Sequence, residues 1–333
     1  MTTRVQAAWW REARNNAVVC ELCPLSCRVR EGRDAPCGTR GNRDGVMVPL
    51  HYAEVVASGL DPIEKKPLYH FHPGRKIFSI AATGCNLHCA FCQNWTISQE
   101  RDGRGHTLQP AEAVALARKG GSVGLAYTYS EPLVWYEYVR DTARLAKAAG
   151  LKNVVVTNGF LNPEPLDALL PVLDAANVDL KSMEDTFYRK VCKARLQPVL
   201  DVITRFHAAG VHLEITNLVI PGYNDANVQI NDLVDFVAGL DRSIPLHFSA
   251  YHPAWKLQAP RTPAATLVRA AEIAATKLDF VYIGNVHMSG AADTRCPDCQ
   301  GTVVGRKGYR TETTLTAEGD CPDCGRHIMD GIS

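Results

Sequence analysis

Twelve of the 333 residues are cysteines, and eleven of them fall into three tight groups. The middle group, Gly84-Cys85-Asn86-Leu87-His88-Cys89-Ala90-Phe91-Cys92, has the spacing C-x3-C-x2-C. Three thiolates on one short loop can hold three irons of a 4Fe-4S cube and leave the fourth iron without a protein ligand. That iron is then a place for a substrate or cofactor to bind. An electron-carrying cluster normally takes four cysteines, and a zinc site recruits a fourth Cys or His. His88 lies inside the loop, with little slack to reach the same ion.

The two flanking groups differ from it. Cys296-Pro-Asp-Cys299 and Cys321-Pro-Asp-Cys324 are near-identical knuckles on either side of a stretch, 303–316, that reads as a β-hairpin. Paired knuckles of this kind place four sulfurs tetrahedrally, as in a zinc ribbon, and a rubredoxin-like iron site uses the same ligands. So short a segment cannot fold on apolar burial alone, which makes the ion part of its folding energy. Arg306, Lys307 and Arg310 form a small basic spot there, read as a solvated face. Upstream, Cys20-Glu-Leu-Cys23-Pro-Leu-Ser-Cys27 is followed by Cys37-Gly38. Four thiolates exclude open-iron chemistry and leave a structural zinc or an auxiliary iron-sulfur cluster, and the spacing does not decide between them. Cys192 stands alone among Lys190, Lys193 and Arg195 and reads as an ordinary thiol.

Composition excludes several classes. Hydrophobic residues make up 46% and charged residues 21%, an ordinary globular balance. Lys plus Arg number 36 against 35 Asp plus Glu, a net charge of +1, so nothing indicates binding to nucleic acid or to a membrane surface. No apolar run approaches the length of a membrane span, and no signal peptide is expected. The chain is also far larger than the small secreted domains that disulfides staple together. The expectation is a protein of a reducing compartment, the cytoplasm.

The middle of the chain supplies elements that can position the loop. A short β-branched run, a polar or glycine-containing junction and an amphipathic segment recur in turn. Strands are expected at 76–82, 122–128, 151–157, 176–180, 212–219, 245–250 and 280–283, with helices at 110–119, 133–149, 164–173, 196–209, 226–239 and 263–277. Such alternation implies parallel strands with right-handed crossovers. With fewer than eight units, the fold class is α/β as a partial barrel, with a doubly wound sheet as the alternative. Residues 1–60 form an N-terminal four-cysteine segment without that alternation, 61–290 the barrel, and 291–333 the ribbon-like segment.

The three-cysteine loop, with aromatic Phe91 just before its last cysteine, resembles the signature of radical S-adenosylmethionine (SAM) enzymes. The resemblance implies a partial (β/α)6 barrel in which Cys85, Cys89 and Cys92 hold the cluster and SAM chelates the open iron. Reductive cleavage of SAM then gives a 5′-deoxyadenosyl radical that abstracts a hydrogen atom. Later junctions resemble the branch that contains pyruvate formate-lyase activating enzyme. In Thr128-Tyr129-Ser130-Glu131-Pro132, Glu131 stands where that superfamily has the last residue of Gly-Gly-Glu, which implies that it accepts from the SAM ammonium. Thr157-Asn158-Gly159 and Asp179-Leu180-Lys181 end the next two strands, and Lys181 fits the SAM carboxylate and Asp179 the ribose or ammonium. The run from Glu214 to Asp225 resembles the branch's strand-five motif, with Asn217 toward the ribose or methionyl part, while Asp225 reads equally well as an N-cap. Tyr251-His252-Pro253 matches a Tyr-His pair and makes His252 a pocket candidate.

From the leader cysteines through to the ribbon, the motif order resembles the radical SAM member of the AmmeMemoRadiSam system. By that resemblance the partners are a reductant such as flavodoxin or ferredoxin and a protein or peptide substrate, with glycyl-radical activation as one version. Radical modification of a small metabolite or of RNA is the rival enzyme reading. A metal-binding adaptor with a degenerate SAM site is the rival of another class.

Overall fold

A computed structural model describes residues 5–100 and 105–330. Residues 1–4, 101–104 and 331–333, including the outer ends of both expected terminal segments, lie outside the described residues. An eight-stranded sheet forms the centre. Its edge strand β1 (Ala57–Pro62) runs antiparallel to β2 (Lys76–Ala81). Six strands follow in parallel: β3 (Gly124–Tyr127), β4 (Lys152–Thr157), β5 (Ala175–Asp179), β6 (His212–Val219), β7 (Leu246–Ala250) and β8 (Val281–Gly284). Their spatial order is their chain order. Central strands such as Gly124–Tyr127 are buried along their whole length, as expected of parallel strands covered on both faces.

The crossovers are α1 (Pro110–Lys119), α2 (Tyr136–Ala148), α3 (Pro163–Leu169), α4 (Gln197–Ala208), α5 (Asn227–Leu240) and α6 (Ala264–Ala275). Each turns an apolar stripe inward; in α2 the stripe is Val139, Thr142, Ala143 and Ala146. The first turn of α1 closes when the Glu112 carboxylate accepts from the Gln109 N–H at 2.7 Å. A doubly wound sheet would reverse its strand order at a switch point, and this one does not. The end strands do not pair, yet the C-terminal ends of β3 to β8 all reach one cavity, so the sheet curls into a partial (β/α)6 barrel.

Two features depart from the sequence reading. Strand β1 extends the sheet although its segment shows no β-α alternation, and the N-terminal residues form small sheets of their own. Trp10–Ala13, Ala17–Cys20 and Arg28–Val29 pair in one antiparallel sheet, and Arg40–Arg43 pairs with Val46–Pro49. Strands this short, one of them Arg-Gly-Asn-Arg, carry no readable period. At the other end, Thr302–Lys307 and Arg310–Thr313 form the expected hairpin. Arg306, however, is buried: it donates to the carbonyls of Tyr69 (2.6 Å) and Ala292 (2.9 Å) and to Thr294 Oγ1 (2.8 Å). It therefore locks the hairpin to the barrel, where Val303, Val304 and Leu315 share a core with Phe280 and Tyr282. Among the described residues, no helix is long and apolar enough to cross a membrane.

Glu214, at the start of β6, is fully buried. Its carboxylate accepts from the His70 N–H (2.7 Å) and pairs with His212 (3.0 Å) and His247 (2.6 Å). Burial opposes its ionisation, but the two imidazoles outweigh this and hold the acid well below its usual range. Glu214→Ala leaves these partners unsatisfied in the interior and is expected to lower unfolding free energy by about 3 kcal/mol or more. Denaturant titration checks this, and an unchanged midpoint would contradict it.

Candidate functional site

The loop from Gly84 to Cys92 leaves the C-terminal end of β2 without regular structure, so its backbone must find partners elsewhere. The Cys85 N–H donates to the Cys37 carbonyl at 3.2 Å, that of His88 to Cys192 at 2.9 Å, and that of Ala90 to Val191 at 3.0 Å. In return the Ala90 carbonyl accepts from Lys256 and Leu257. Gly84 has φ +94°, and a Cβ there would meet the Cys37 carbonyl oxygen at 2.5 Å. Glycine is therefore what lets the two cysteine segments touch. Cys89 is buried, and Cys85 and Cys92 are half-buried. The sulfurs have polar neighbours: Asn158 Nδ2 lies 3.5 Å from Cys85, and Ser98 Oγ lies 3.1 Å from Cys92. The Cys192 side chain lies beside Cys89 and lowers its pKa.

These thiols border a cavity of about 320 Å³ at the C-terminal ends of the strands, where barrel chemistry is placed. Glu131 is buried in its wall. One carboxylate oxygen accepts from Thr157 Oγ1 (2.6 Å) and the Leu133 N–H (3.0 Å), and the other from the Asn158 N–H (2.8 Å). Burial dominates these bonds and raises the acid to about 7. Across the cavity, Lys181 Nζ lies 3.0 Å from Asp179 and 5.8 Å from the centre of the Phe91 ring. Burial opposes its charge, yet Asp179 and the nearby thiols hold its pKa well above the usual lysine value.

Tyr129, in the place of a motif glycine, has φ +70°. It takes the left-handed backbone that a glycine would take, and its surroundings over-determine it. Its carbonyl accepts from Asn94 (2.8 Å), its hydroxyl bonds to Asp61, and Lys66 Nζ lies 3.1 Å from that hydroxyl. Burial drives Lys66 down to about 8.

Of the residues singled out in the sequence, Cys85, Cys89, Cys92, Phe91, Glu131, Asn158, Asp179 and Lys181 all line this cavity. Asn217 does not; its amide donates to the Leu180 carbonyl at 2.8 Å, while Thr216 and Leu218, on the opposite strand face, line the cavity. His252 is exposed beside Gln93, a lining residue, at 3.2 Å. Tyr129, Lys65, Ser249 and Asn285 also line the cavity and were not singled out. The charged run Asp61-Pro-Ile-Glu-Lys65-Lys66 was the available signal for part of this wall. Cys192 is no isolated thiol, since the turn carrying it packs on the cysteine loop.

Cys296, Cys299, Cys321 and Cys324 place their sulfurs all within 4.8 Å of one another, with pairs at 3.4 and 3.6 Å. Zn–S bonds of about 2.3 Å draw a tetrahedron with edges of about 3.8 Å, so this group suits a single ion. Among the described residues, no other set of three or more His, Cys, Asp or Glu is gathered so tightly. Cys85, Cys89 and Cys92 are thus spread too widely for one ion, which suits the corners of a cluster. Among the described residues, Cys20, Cys23, Cys27 and Cys37 are likewise not gathered within 4.8 Å as the C-terminal four are.

An open-sided barrel with a three-thiol loop beside a strand-end cavity defines a class of cluster-binding enzymes. The Radical SAM superfamily signature matches residues 79–234. Over 330 residues, 97% of this chain and 98% of the relative, it is 41% identical to the uncharacterised protein MJ0808 of Methanocaldococcus jannaschii. It is 26% identical to pyruvate formate-lyase 1-activating enzyme of Escherichia coli over 51% of this chain and 71% of that enzyme. It is 32% identical to GTP 3′,8-cyclase of Geobacter sulfurreducens over 51% of this chain and 53% of the cyclase. A solved radical SAM methyltransferase from Sphaerobacter thermophilus shares the fold, with a TM-score of 0.51 at 18% identity, covering 67% of this chain and 69% of that one. The chain belongs to the radical SAM superfamily, and it is an enzyme. Membership implies a 4Fe-4S cluster and SAM, and three thiols of one loop beside a cavity that also holds Glu131, Asp179 and Lys181 fit both.

Two measurements follow. A carboxyl group raised to about 7 by burial stabilises the fold below the unfolded value near 4.3, and that contribution is lost as pH rises through 7. In the metal-free chain, Glu131→Gln should therefore gain about 2 kcal/mol relative to the parent between pH 5 and pH 8. Parallel melts in that range that never diverge would contradict this. Cys321→Ser with Cys324→Ser should remove about one zinc per chain by elemental analysis; loss of iron instead would make the ribbon an iron site.

Proposed function

We propose that the enzyme cleaves SAM reductively and uses the resulting radical to take a hydrogen atom from a protein or peptide, as a glycyl-radical activase does. The observation that carries this reading is the placement of Cys85, Cys89 and Cys92 on the wall of a cavity lined by the C-terminal ends of six parallel strands. The similarity to pyruvate formate-lyase 1-activating enzyme supports the substrate class. A small-metabolite substrate is the second reading, favoured by the similarity to GTP 3′,8-cyclase.

The bound cluster and SAM together supply one-electron cleavage of a carbon–sulfur bond and hydrogen abstraction. Cys85, Cys89 and Cys92 would hold the cluster, and Asn158 and Ser98 orient two of the sulfurs through side-chain contacts. Glu131 would be the acceptor for an ammonium bound in the cavity, and Lys181, kept charged by Asp179, would be the partner for a carboxylate. Leu87, Phe91, Val156 and Leu218 give the cavity apolar walls that keep water from a reactive radical. Asn217 and His252 act from behind and at the rim of this wall. A reductant of the flavodoxin or ferredoxin type supplies the electron. In this reading residues 1–60, 61–290 and 291–333 serve as metal-binding segment, catalytic barrel and zinc ribbon.

Anaerobic reconstitution followed by dithionite and SAM is expected to yield 5′-deoxyadenosine, and Cys89→Ala is expected to abolish it. No product from the parent protein, or undiminished product from the variant, would sink the mechanism. The substrate class is tested by supplying perdeuterated cell fractions. Deuterium is expected in 5′-deoxyadenosine from the macromolecular fraction, and transfer from the small-molecule fraction alone would favour a metabolite.

A further inference from the structure

We propose that Cys20, Cys23, Cys27 and Cys37 bind a second, polynuclear iron-sulfur cluster that relays electrons into the Cys85–Cys92 loop. The proposal rests on the radical SAM reading of that loop and adds to it the route by which the loop is reduced.

Sulfur spacing argues for a cluster over zinc. One chain offers three cysteine groups for comparison, and the C-terminal group alone is gathered to the dimensions of a single tetrahedral ion. Among the described residues, neither the N-terminal four nor the catalytic three are gathered within 4.8 Å in that way. They nonetheless form one set, since each sulfur lies within electrostatic reach of the other three. The backbone folds them inward: the Cys20 N–H donates to the Cys27 carbonyl at 2.9 Å, between neighbouring strands of one small sheet. Around them Arg40 supplies a donor suited to thiolate charge, and the Thr39 hydroxyl, which donates to the Val134 carbonyl, lies beside Cys37. Thr39 Oγ1 lies 3.2 Å from the Cys37 sulfur, and the fully buried Arg40, paired with Glu137, places Nη1 3.8 Å from the Cys20 sulfur. Four protein thiolates complete the ligation, so no iron is left open for substrate.

Position argues for a relay. None of the four cysteines lines the cavity that the catalytic loop borders, so this cluster cannot touch SAM or substrate there. The two ligand sets meet through the hydrogen bond from Cys85 N–H to Cys37 C=O, over the glycine at 84 that permits the approach. Cys27 and Cys37 are half-buried, which leaves one edge near solvent. The step is a one-electron transfer at each stage. A low-potential carrier of the flavodoxin class is oxidised by one electron, the outer cluster takes it up and passes it on, and the catalytic cluster is reduced by one.

The test uses the full chain carrying Cys85→Ala, Cys89→Ala and Cys92→Ala, reconstituted anaerobically with iron and sulfide. About two to four irons per chain should remain, with a paramagnetic signal on reduction. Loss of all iron with a second zinc in its place would overturn the assignment. Because this variant makes no 5′-deoxyadenosine under any reading, its iron count is independent of whether the proposed activity holds. For the relay, Cys20→Ala with Cys23→Ala should lower the ratio of flavodoxin-driven to dithionite-driven 5′-deoxyadenosine formation by roughly tenfold or more. An unchanged ratio would refute it. If that variant does not fold, photoreduced flavodoxin added to the parent protein gives the same answer: the outer cluster's signal should precede that of the catalytic cluster, and the reverse order would refute the relay.

Discussion

The whole structure turns on a nine-residue loop that must be ordered without a helix or strand to satisfy its backbone. Its N–H and C=O groups are met by the Cys37 segment, the turn at residues 191–192 and the strand-end loop at residues 256–257. Those three segments come from the N-terminal sheets, from the crossover before α4 and from the loop after β7. A cluster loop left to solvent would wander; this one is gripped from three sides. The grip also explains why so long a chain precedes the barrel. The N-terminal sheets dock on the barrel through Asn162, whose amide donates to the Glu21 carbonyl at 2.7 Å, and Arg195, which donates to that of Pro24 at 3.0 Å. They thereby carry Cys37 to the loop.

The two ends of the barrel divide the work. At the C-terminal ends the charged groups are arranged for exchange: burial outweighs the three hydrogen bonds of Glu131 and raises it to about 7, and Lys181 keeps its charge because Asp179, foremost, faces it along with nearby thiols. At the N-terminal ends the charges are closed on one another. Glu214 is fully matched by His70, His212 and His247, and Arg306 and Tyr69 tie that region to the C-terminal hairpin.

Much of this was legible in the sequence, for a physical reason. Helix 110–119 and strand 212–219 fall where periodicity places them, because parallel strands and their crossovers carry strong apolar patterns. Cys85, Glu131 and Lys181 stand out in the sequence as short motifs at strand ends, and all three line the cavity. Other features were hidden. Strand β1 and the N-terminal sheets are too short to show a period, and the alternation of a strand does not reveal which face turns inward, so Asn217 was chosen where Thr216 and Leu218 line the wall. Cys192 and Lys66 gain their meaning from partners 103 and 63 residues away, Cys89 and Tyr129, and no local pattern encodes such contacts. Arg306 reads as a surface charge until the barrel is there to bury it.

The central claim is that three thiols of one loop leave an iron open toward the cavity. The most direct test is the electron paramagnetic resonance spectrum of the reduced, reconstituted enzyme before and after adding SAM. The account predicts that SAM shifts the signal assigned to Cys85, Cys89 and Cys92, with no shift left once those cysteines are replaced. A spectrum that SAM leaves unchanged, in a sample with that cluster fully assembled, would contradict it.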